Sequence, residues 1–304
     1  MIEYSNVWRK ENREVHKFLR AIGFSDITKK DLEMILDEVI TRPEIMKITK
    51  DSEGNEFAEL SGSFAANAGI TVRGTYQEDD SFHMDYYYPY VFGTSITTNE
   101  QIDVEKHAEK ESYAGVCDEV NLGVTLIFYI QNVADYLAET NRHLSKIHYG
   151  AMIAGLSTEG KILCPVVERK KNDVPAIQKN DRHNQLIAQA REGDEDAIES
   201  LTLEDMDTYA LLSQRVMKED IFSIVKSTFM PFGIESDQYT VLGEIIDCVT
   251  MENKLTHEKL YGMKLLCNNI QFDVCINEKD LLGEPAIGRR FRGNVWMQGN
   301  LCLE

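Results

Sequence analysis

The chain has 304 residues, of which 43% are hydrophobic and 27% carry a charge. This composition is ordinary for a globular protein, excludes disorder of the whole chain, and at this length allows about two domains. Lysine and arginine number 32 against 51 acidic residues, which gives a formal net charge of −19. Because phosphate backbones and anionic lipids would be repelled at long range, we expect neither duplex nucleic acid nor a membrane among the partners.

The first residues lack the apolar stretch of a signal peptide, and the longest apolar run, residues 122–130, is far below the roughly 20 residues of a membrane span. The cysteines form no C-x-x-C pair and no zinc-ligand spacing. We therefore expect a cytoplasmic protein with six reduced thiols, at Cys117, Cys164, Cys248, Cys267, Cys275 and Cys302.

Two helices and several antiparallel strands are predicted for the first 90 residues. Apolar residues recur at helical spacing in two segments that stop at Gly23 and Pro43, and the second follows the capping pair Thr28 and Asp31. Alternating patterns separated by polar turns then predict strands at 45–49, 57–60, 70–76 and 82–90.

The next stretch is less regular. Residues 99–119 are charged and predicted to be helical or irregular, whereas the apolar run at 122–130 predicts a strand covered on both faces, with a buried helix as the alternative. Asn132 could cap a short helix. Residues 149–156 and 161–167 are predicted to form a hairpin.

Four regions follow from these patterns. Residues 1–168 form an N-terminal α/β domain with a mainly antiparallel sheet, and the polar stretch 169–183 is a linker. Residues 184–218 form a short, acidic helical connector, and residues 219–304 a C-terminal domain. The C-terminal strands are predicted at 221–229, 239–250, 260–267, 270–276 and 291–301. Five short strands with glycines at bends predict a small β-barrel like the OB-fold, so the expected fold class is α+β.

Several long segments together resemble one bacterial family. They are HKFLRAIGF, HAEKESYAGVCDE, GDEDAIESLTLEDMDTY, MPFGIESDQY and INEKDLLGEPAIGRRFRG, beginning at His16, His107, Gly193, Met230 and Ile276. The chain is similar over nearly its whole length to a domain of unknown function from anaerobic Gram-positive bacteria. The resemblance implies no activity and therefore no catalytic residue.

Two near-motifs are rejected. Residues 155–162 nearly spell a phosphate-binding loop, but Ile162 stands where the motif requires Ser or Thr, and the following residues continue as a strand. Residues 168–170 resemble the E-x-K of some metal-dependent nucleases, but the neighbouring strand offers no second acid. We expect no site at either place.

A local basic cluster is the best candidate for a binding site. Arg289, Arg290 and Arg292 surround Phe291, and Trp296 follows. Arginine beside aromatic residues on a barrel strand can hold single-stranded nucleic acid or a small anion. The competing interpretation is that the apolar residues fill the barrel while the arginines pair with acidic helices.

Two further candidates are an aromatic strand and a metal-ligand pair. Tyr86, Tyr87 and Tyr88 could stack a sugar or a base, but the simpler expectation is a strand that is core on one face and a protein interface on the other. His107 and Glu111 would share a face if their segment is helical and could bind a transition metal, although a charged helix surface is the simpler interpretation.

These observations favour a cytosolic, non-catalytic binding or regulatory protein whose partner is another protein. We predict no catalytic residue and no cofactor, although catalytic groups can converge in space without a linear motif. One alternative is binding of single-stranded nucleic acid or a small anion by the C-terminal barrel. Another is a metal-dependent enzyme around His107 and Glu111.

Overall fold

A computed structural model describes residues 15–107, 110–141, 148–166, 225–234 and 236–303, with scattered positions between 186 and 201. The predicted linker at 169–183 and most of the helical connector at 184–218 lie outside the described residues. The described positions of the connector are helical except Asp194.

The N-terminal segment contains a 3₁₀ helix, Lys17–Ile22, and the helix α1, Lys29–Thr41. Gly23 ends the first with a left-handed φ of 93°. Thr28 caps the second by accepting a hydrogen bond from the backbone N–H of Asp31. Both boundaries confirm the prediction, because glycine stops and threonine caps are local signals.

A four-stranded antiparallel sheet follows, in the order β1-β2-β3-β4. Its strands are β1 (Ile45–Lys50), β2 (Glu56–Ala65), β3 (Ala68–Tyr76) and β4 (Phe82–Val91). These four strands were predicted from the change to a period of two residues.

The remaining strands form one ten-stranded mixed sheet in the order β11-β12-β8-β5-β6-β7-β14-β10-β9, with β13 paired to β8. Its strands are β5 (Thr98–His107), β6 (Ser112–Glu119), β7 (Val124–Ile130), β8 (His148–Leu163), β9 (Thr228–Pro231), β10 (Gln238–Glu252), β11 (Lys259–Cys267), β12 (Ile270–Asn277), β13 (Leu281–Leu282) and β14 (Arg290–Leu301). The helix α2, Val133–Asn141, connects β7 toward β8, and a 3₁₀ turn, Glu278–Asp280, precedes β13.

The long antiparallel pair β8–β14 is the centre of this sheet. β14 also pairs with β10 and, in parallel, with β7. β8 also pairs with β5 and, in parallel, with β12. Because β10 pairs with β11 as well, the ladders trace two circuits of five strands that share β8 and β14.

The predicted α+β fold class is therefore wrong, since the protein is mostly β. Residues 219–304 do not form a separate OB-like barrel, because β8, from the N-terminal half, lies between β12 and β14. The helical or irregular segment predicted at 99–119 is the strand pair β5–β6. The predicted hairpin at 149–167 is the single strand β8, in which Thr158 is an extra residue opposite β14.

Two hydrophobic clusters hold the sheets. The first is built mainly from the ten-stranded sheet, with α2 and Phe57 of β2 packed against it, and includes Phe128, Phe272 and Phe291. The second joins that sheet to the 3₁₀ helix, α1 and the four-stranded sheet, and includes Leu19, Leu60 and Trp296. No helix in the described part of the chain has the length and apolar content needed to cross a membrane.

Candidate functional site

The structure separates the three arginines of the basic cluster. Arg290 is buried, and its guanidinium donates to two backbone carbonyl groups, one of them that of Cys164. Burial lowers the pKa of Arg290. Arg289 is exposed and donates to the carbonyl of Glu284, and Arg292 is exposed on β14. The predicted binding role stays a prediction, with only Arg289 and Arg292 accessible.

Trp296 lies on the same face of β14 as Arg290 and Arg292, because the bulge is in the partner strand β8. That face is covered here by the N-terminal 3₁₀ helix. The indole stacks on Phe18, with ring centroids 5.1 Å apart, and its N–H donates to Asp237 at 2.7 Å. Trp296 is 6% exposed and therefore offers little surface for a stacked base.

The three consecutive tyrosines of β4 use their hydroxyl groups inside the protein. Tyr86 and Tyr88 accept hydrogen bonds from Arg73, at 2.9 and 3.2 Å. Tyr87, on the opposite face, accepts from the backbone N–H of His16 at 3.0 Å. The interface prediction for these residues is untested, but Tyr88 is buried and the other two are only half-buried.

Arg73 is the centre of a buried polar network that the sequence pattern missed. Its guanidinium contacts the Glu59 carboxylate at 2.6 Å and donates to the hydroxyl groups of Tyr86, Tyr88 and Tyr129. It also donates to two backbone carbonyl groups at the end of β7. Burial alone would lower the pKa of Arg73, but the Glu59 carboxylate and the three tyrosine hydroxyl groups together outweigh it and raise that pKa well above its usual range. The network joins the two sheets.

Glu111 of the predicted metal pair is engaged in a second network. Its carboxylate accepts hydrogen bonds from Ser52, Lys106 and Tyr113. Burial would raise the pKa of Glu111, but these hydrogen bonds outweigh it and lower the pKa. The side chain of His107 lies outside the described residues, and within them no three His, Cys, Asp or Glu side chains form a group suited to a metal ion.

An accessible groove of about 460 Å³ lies between α1 and the loop joining β10 to β11, and we call it the α1 groove. Its lining contains four carboxylates and no lysine or arginine; the residues are Phe24, Asp26, Ile27, Asp31, Met34, Ile35, Glu38, Leu255, Thr256 and Glu258. Met34 and Leu255 are 55% and 50% exposed.

Hydrogen bonds fix the β10–β11 loop against the N-terminal segment. The fully buried Asn253 side chain donates to the Ile22 carbonyl at 2.7 Å, and Thr256 donates to the Gly23 carbonyl at 2.6 Å. Ser25 donates to Glu258. The two walls of the groove are thus held at a defined separation before any partner arrives.

A local sequence signal for this groove exists. Leu32, Leu36 and Val39 form the buried stripe of α1, and Met34 falls outside it, where the helical pattern predicts a polar residue. Leu255 is likewise an apolar residue in a polar turn. Apolar side chains at positions predicted to be exposed indicate contact surfaces, but only the fold shows that these two line one groove.

These features define a mostly β protein of two sheets with an apolar, acid-rimmed groove. Residues 19–299 match the family described as "Domain of unknown function, E. rectale Gene description (DUF3881)". The match covers most of the chain, and the protein belongs to this family, which confirms the resemblance to a family of anaerobic Gram-positive bacteria. No curated protein and no solved structure matches the chain.

Proposed function

We propose that the protein is a non-catalytic binding protein that holds a partner protein in the α1 groove. The observation that carries the proposal is the composition of the groove lining, with two half-exposed apolar residues on one fixed surface and four carboxylates, of which Asp31 and Glu38 are not paired with the nearby Lys279. Single exposed apolar residues are ordinary, whereas a contiguous apolar surface with a polar rim is typical of a protein-binding site.

The partner that fits is a short amphipathic segment carrying lysine or arginine. Its apolar side chains would pack between Met34 and Leu255, as in other helix-in-groove complexes. Its basic side chains would meet Asp31 and Glu38 at the rim, because Asp26 and Glu258 already pair with Lys279. The net charge of −19 adds long-range attraction for a basic partner.

A pair of designed peptides tests the chemistry of the partner. A helical peptide of about 18 residues made of leucine and lysine should bind the full-length protein in fluorescence anisotropy, and the same pattern made with glutamate should not. Glu38→Lys should weaken binding, because it reverses a rim charge. Glu33→Lys, on the same helix but outside the groove lining, is the matched control. Equal binding of both peptides contradicts the proposal.

The contribution of the apolar residues Met34 and Leu255 of the α1 groove is tested by two double variants. Met34→Asp with Leu255→Asp should reduce affinity about tenfold or more, which corresponds to a loss of about 1.4 kcal/mol. Met230→Asp with Leu282→Asp changes two residues that are 53% and 67% exposed and do not line the groove, and should leave affinity unchanged. Equal losses in both variants would show that the contact is not the α1 groove.

The native partner is sought by affinity capture from host lysate, with and without nuclease. A protein retained by the wild type and by the control variant, but lost with the groove variant, supports the proposal. Partners lost on nuclease treatment would favour the nucleic-acid alternative through Arg289 and Arg292 instead. Capture that is insensitive to the groove variant contradicts the proposal.

We also propose that the protein works in the cytoplasm with its six thiols reduced. All six cysteines are unpaired, in keeping with a reducing compartment. Burial raises the pKa of Cys117 to about 11 and of Cys267 and Cys275 to about 12, so these three thiols carry little thiolate at neutral pH. Fractionation of host cells tests the compartment, and recovery in a membrane or culture-medium fraction would contradict it.

A further inference from the structure

A second cavity, of about 410 Å³, lies between the two sheets beside α2; we call it the intersheet cavity. Its volume is within the range of about 300–1,000 Å³ typical of small-molecule sites. It is lined by Ile45, Lys47, Glu59, Ser61, Thr71, Tyr88, Phe92, Gly93, Gln131, Asn132, Asp135, Met152, Asn300 and Leu301. It is separate from the α1 groove, with which it shares no lining residue.

The buried side of this cavity is unusually polar. Glu59, Ser61, Thr71 and Gln131 are each less than 8% exposed. Ser61 and Thr71 are hydrogen-bonded to each other at 2.8 Å, on the face of the four-stranded sheet that also carries Glu59. Glu59, Ser61 and Thr71 have hydrogen-bond partners within the protein, so this polar surface is formed without a ligand, and only Gln131 retains an atom without a partner among the described residues.

Gln131 lines the cavity and carries a buried polar atom without a partner. Its Oε1 is the one buried side-chain polar atom without a hydrogen-bond partner among the described residues. The amide cannot simply be reversed, because its nitrogen donates to the Val91 carbonyl at 3.0 Å and to Gln298 at 2.8 Å. A group that fills this position must therefore donate a hydrogen bond.

The charges beside the cavity are balanced. Glu59 is paired with Arg73 at 2.6 Å, and Asp135 with Lys47 at 2.6 Å. A charged ligand would have to compete with these pairs, whereas a neutral ligand leaves them intact. Ligand hydroxyl groups can donate to Gln131 and exchange hydrogen bonds with the Ser61–Thr71 pair.

Apolar side chains complete the lining, among them Phe92, Met152 and Leu301. They offer contacts to carbon-bound hydrogens, which water alone would not use. We propose that the intersheet cavity binds a small, neutral, polyhydroxylated molecule of the sugar or polyol class. This site does not depend on the proposed partner groove, because the two surfaces are separate.

The test is calorimetric titration and thermal shift of the full-length protein with D-glucose, D-galactose, D-ribose, myo-inositol and glycerol. Putrescine and betaine are the charged comparison ligands. A ligand that binds only the folded state stabilises it by RT ln(1 + L/Kd), where L is the free ligand concentration, so the unfolding temperature keeps rising as the ligand concentration increases above Kd. We expect at least one of the five neutral compounds to bind and both charged compounds to fail. Binding by no neutral compound, or by putrescine in preference, overturns the proposal.

Two variants locate the binding. Ser61→Ala with Thr71→Val removes both members of the hydroxyl pair and should reduce affinity at least tenfold, while Thr240→Val, outside the lining, should not. Because the double variant is buried and its folding is at risk, a surface pair repeats the test. Ile45→Trp obstructs the cavity at a residue that is 44% exposed, and Met46→Trp alters its 49% exposed neighbour outside the lining. Affinity that is unaffected by Ile45→Trp overturns the assignment to this cavity.

Discussion

Gly23 sets the turn between the 3₁₀ helix and α1, and two independent constraints act on it. Its φ of 93° lies in the left-handed region, where a side chain is strained. A Cβ atom at this position would also lie 2.7 Å from the Cβ of Asn253, the residue that fixes the β10–β11 loop. Both the turn before α1 and the position of the β10–β11 loop therefore require a residue without a side chain at Gly23.

Gly23→Ala should destabilise the protein more than its backbone angle alone explains. Gly54 has the same φ of 93° but no atom within 4 Å of an added Cβ, so Gly54→Ala isolates the backbone strain, about 1–2 kcal/mol. Gly23→Ala should add about 1–3 kcal/mol for the displaced Asn253. Urea unfolding of both variants measures the difference. Equal losses in the free energy of unfolding would mean that Asn253 and the β10–β11 loop can move away from the new side chain without destabilising the protein.

At the scale of the elements, Arg73 connects the four-stranded sheet to the ten-stranded sheet. It lies on β3, pairs with Glu59 of β2, and donates to Tyr129 and to backbone carbonyls at the end of β7. Glu59 also accepts from the backbone N–H of Ala134 in the first turn of α2. One ion pair thus connects the four-stranded sheet, the ten-stranded sheet and a helix.

Arg73→Met should cost about 3–5 kcal/mol, because it leaves the Glu59 carboxylate buried without its partner. The control is Lys254→Ala, which removes an ion pair with Glu44 whose side chains are 58% and 55% exposed and should cost less than about 1 kcal/mol. Urea unfolding monitored by tryptophan fluorescence gives both values. Losses of similar size in the free energy of unfolding would show that Arg73 is not the main connection between the two sheets.

Local signals in the sequence were sufficient for some elements and not for others. Caps and turns predicted α1 and β1–β4, since these depend on neighbours in the chain. β5 was missed because its charged residues face solvent and Ile102 is its one buried apolar side chain in the part described. Arg73 was missed because a polar residue alternating with Ile70 and Val72 predicts an exposed face, and only the second sheet buries it.

The candidate sites followed the same division. Arg290, Arg292 and Trp296 lie on one face of β14, but the sequence pattern could not show that the 3₁₀ helix covers the indole. The α1 groove and the intersheet cavity combine residues more than 200 positions apart, such as Met34 with Leu255, and Ile45 with Leu301. Such proximity depends on how the strands are connected in the fold, and local periodicity in the sequence carries no information about these long-range contacts.

The whole molecule is organised around β8 and β14, which belong to both five-stranded circuits. Residues on either side of the predicted linker therefore share one ladder and one hydrophobic cluster. We expect unfolding in a single transition, with fluorescence, near-ultraviolet and far-ultraviolet signals that coincide during thermal or urea denaturation. Two separated transitions would instead support the predicted independent domains, residues 1–168 and 219–304.

Stability should fall at acidic pH, because hydrogen bonds in the folded protein favour the ionised form of two carboxylates, Glu258 and Glu111. Burial alone would raise the pKa of Glu258, but hydrogen bonds from Lys279, Ser25 and Asn277 outweigh it and lower the pKa. Glu111 has a lowered pKa for the same kind of reason. A lowered pKa in the folded state gives stability that is complete above the unfolded value, about 4.3, and is lost as the pH falls through the folded value.

Asp85 acts in the opposite direction, because burial raises its pKa, so its protonation on acidification favours the folded state. Glu258→Gln separates the two effects. It should lower the unfolding temperature at pH 7, and its difference from the wild type should shrink as the pH falls below about 4, because the wild-type carboxylate takes up a proton first in the unfolded chain and then, at lower pH, in the folded protein. Glu56→Gln, at an exposed position of β2, should track the wild type throughout. Thermal denaturation in steps between pH 7 and pH 3 measures these differences, and a Glu258→Gln deficit that grows in acid would reverse the assigned role of this carboxylate.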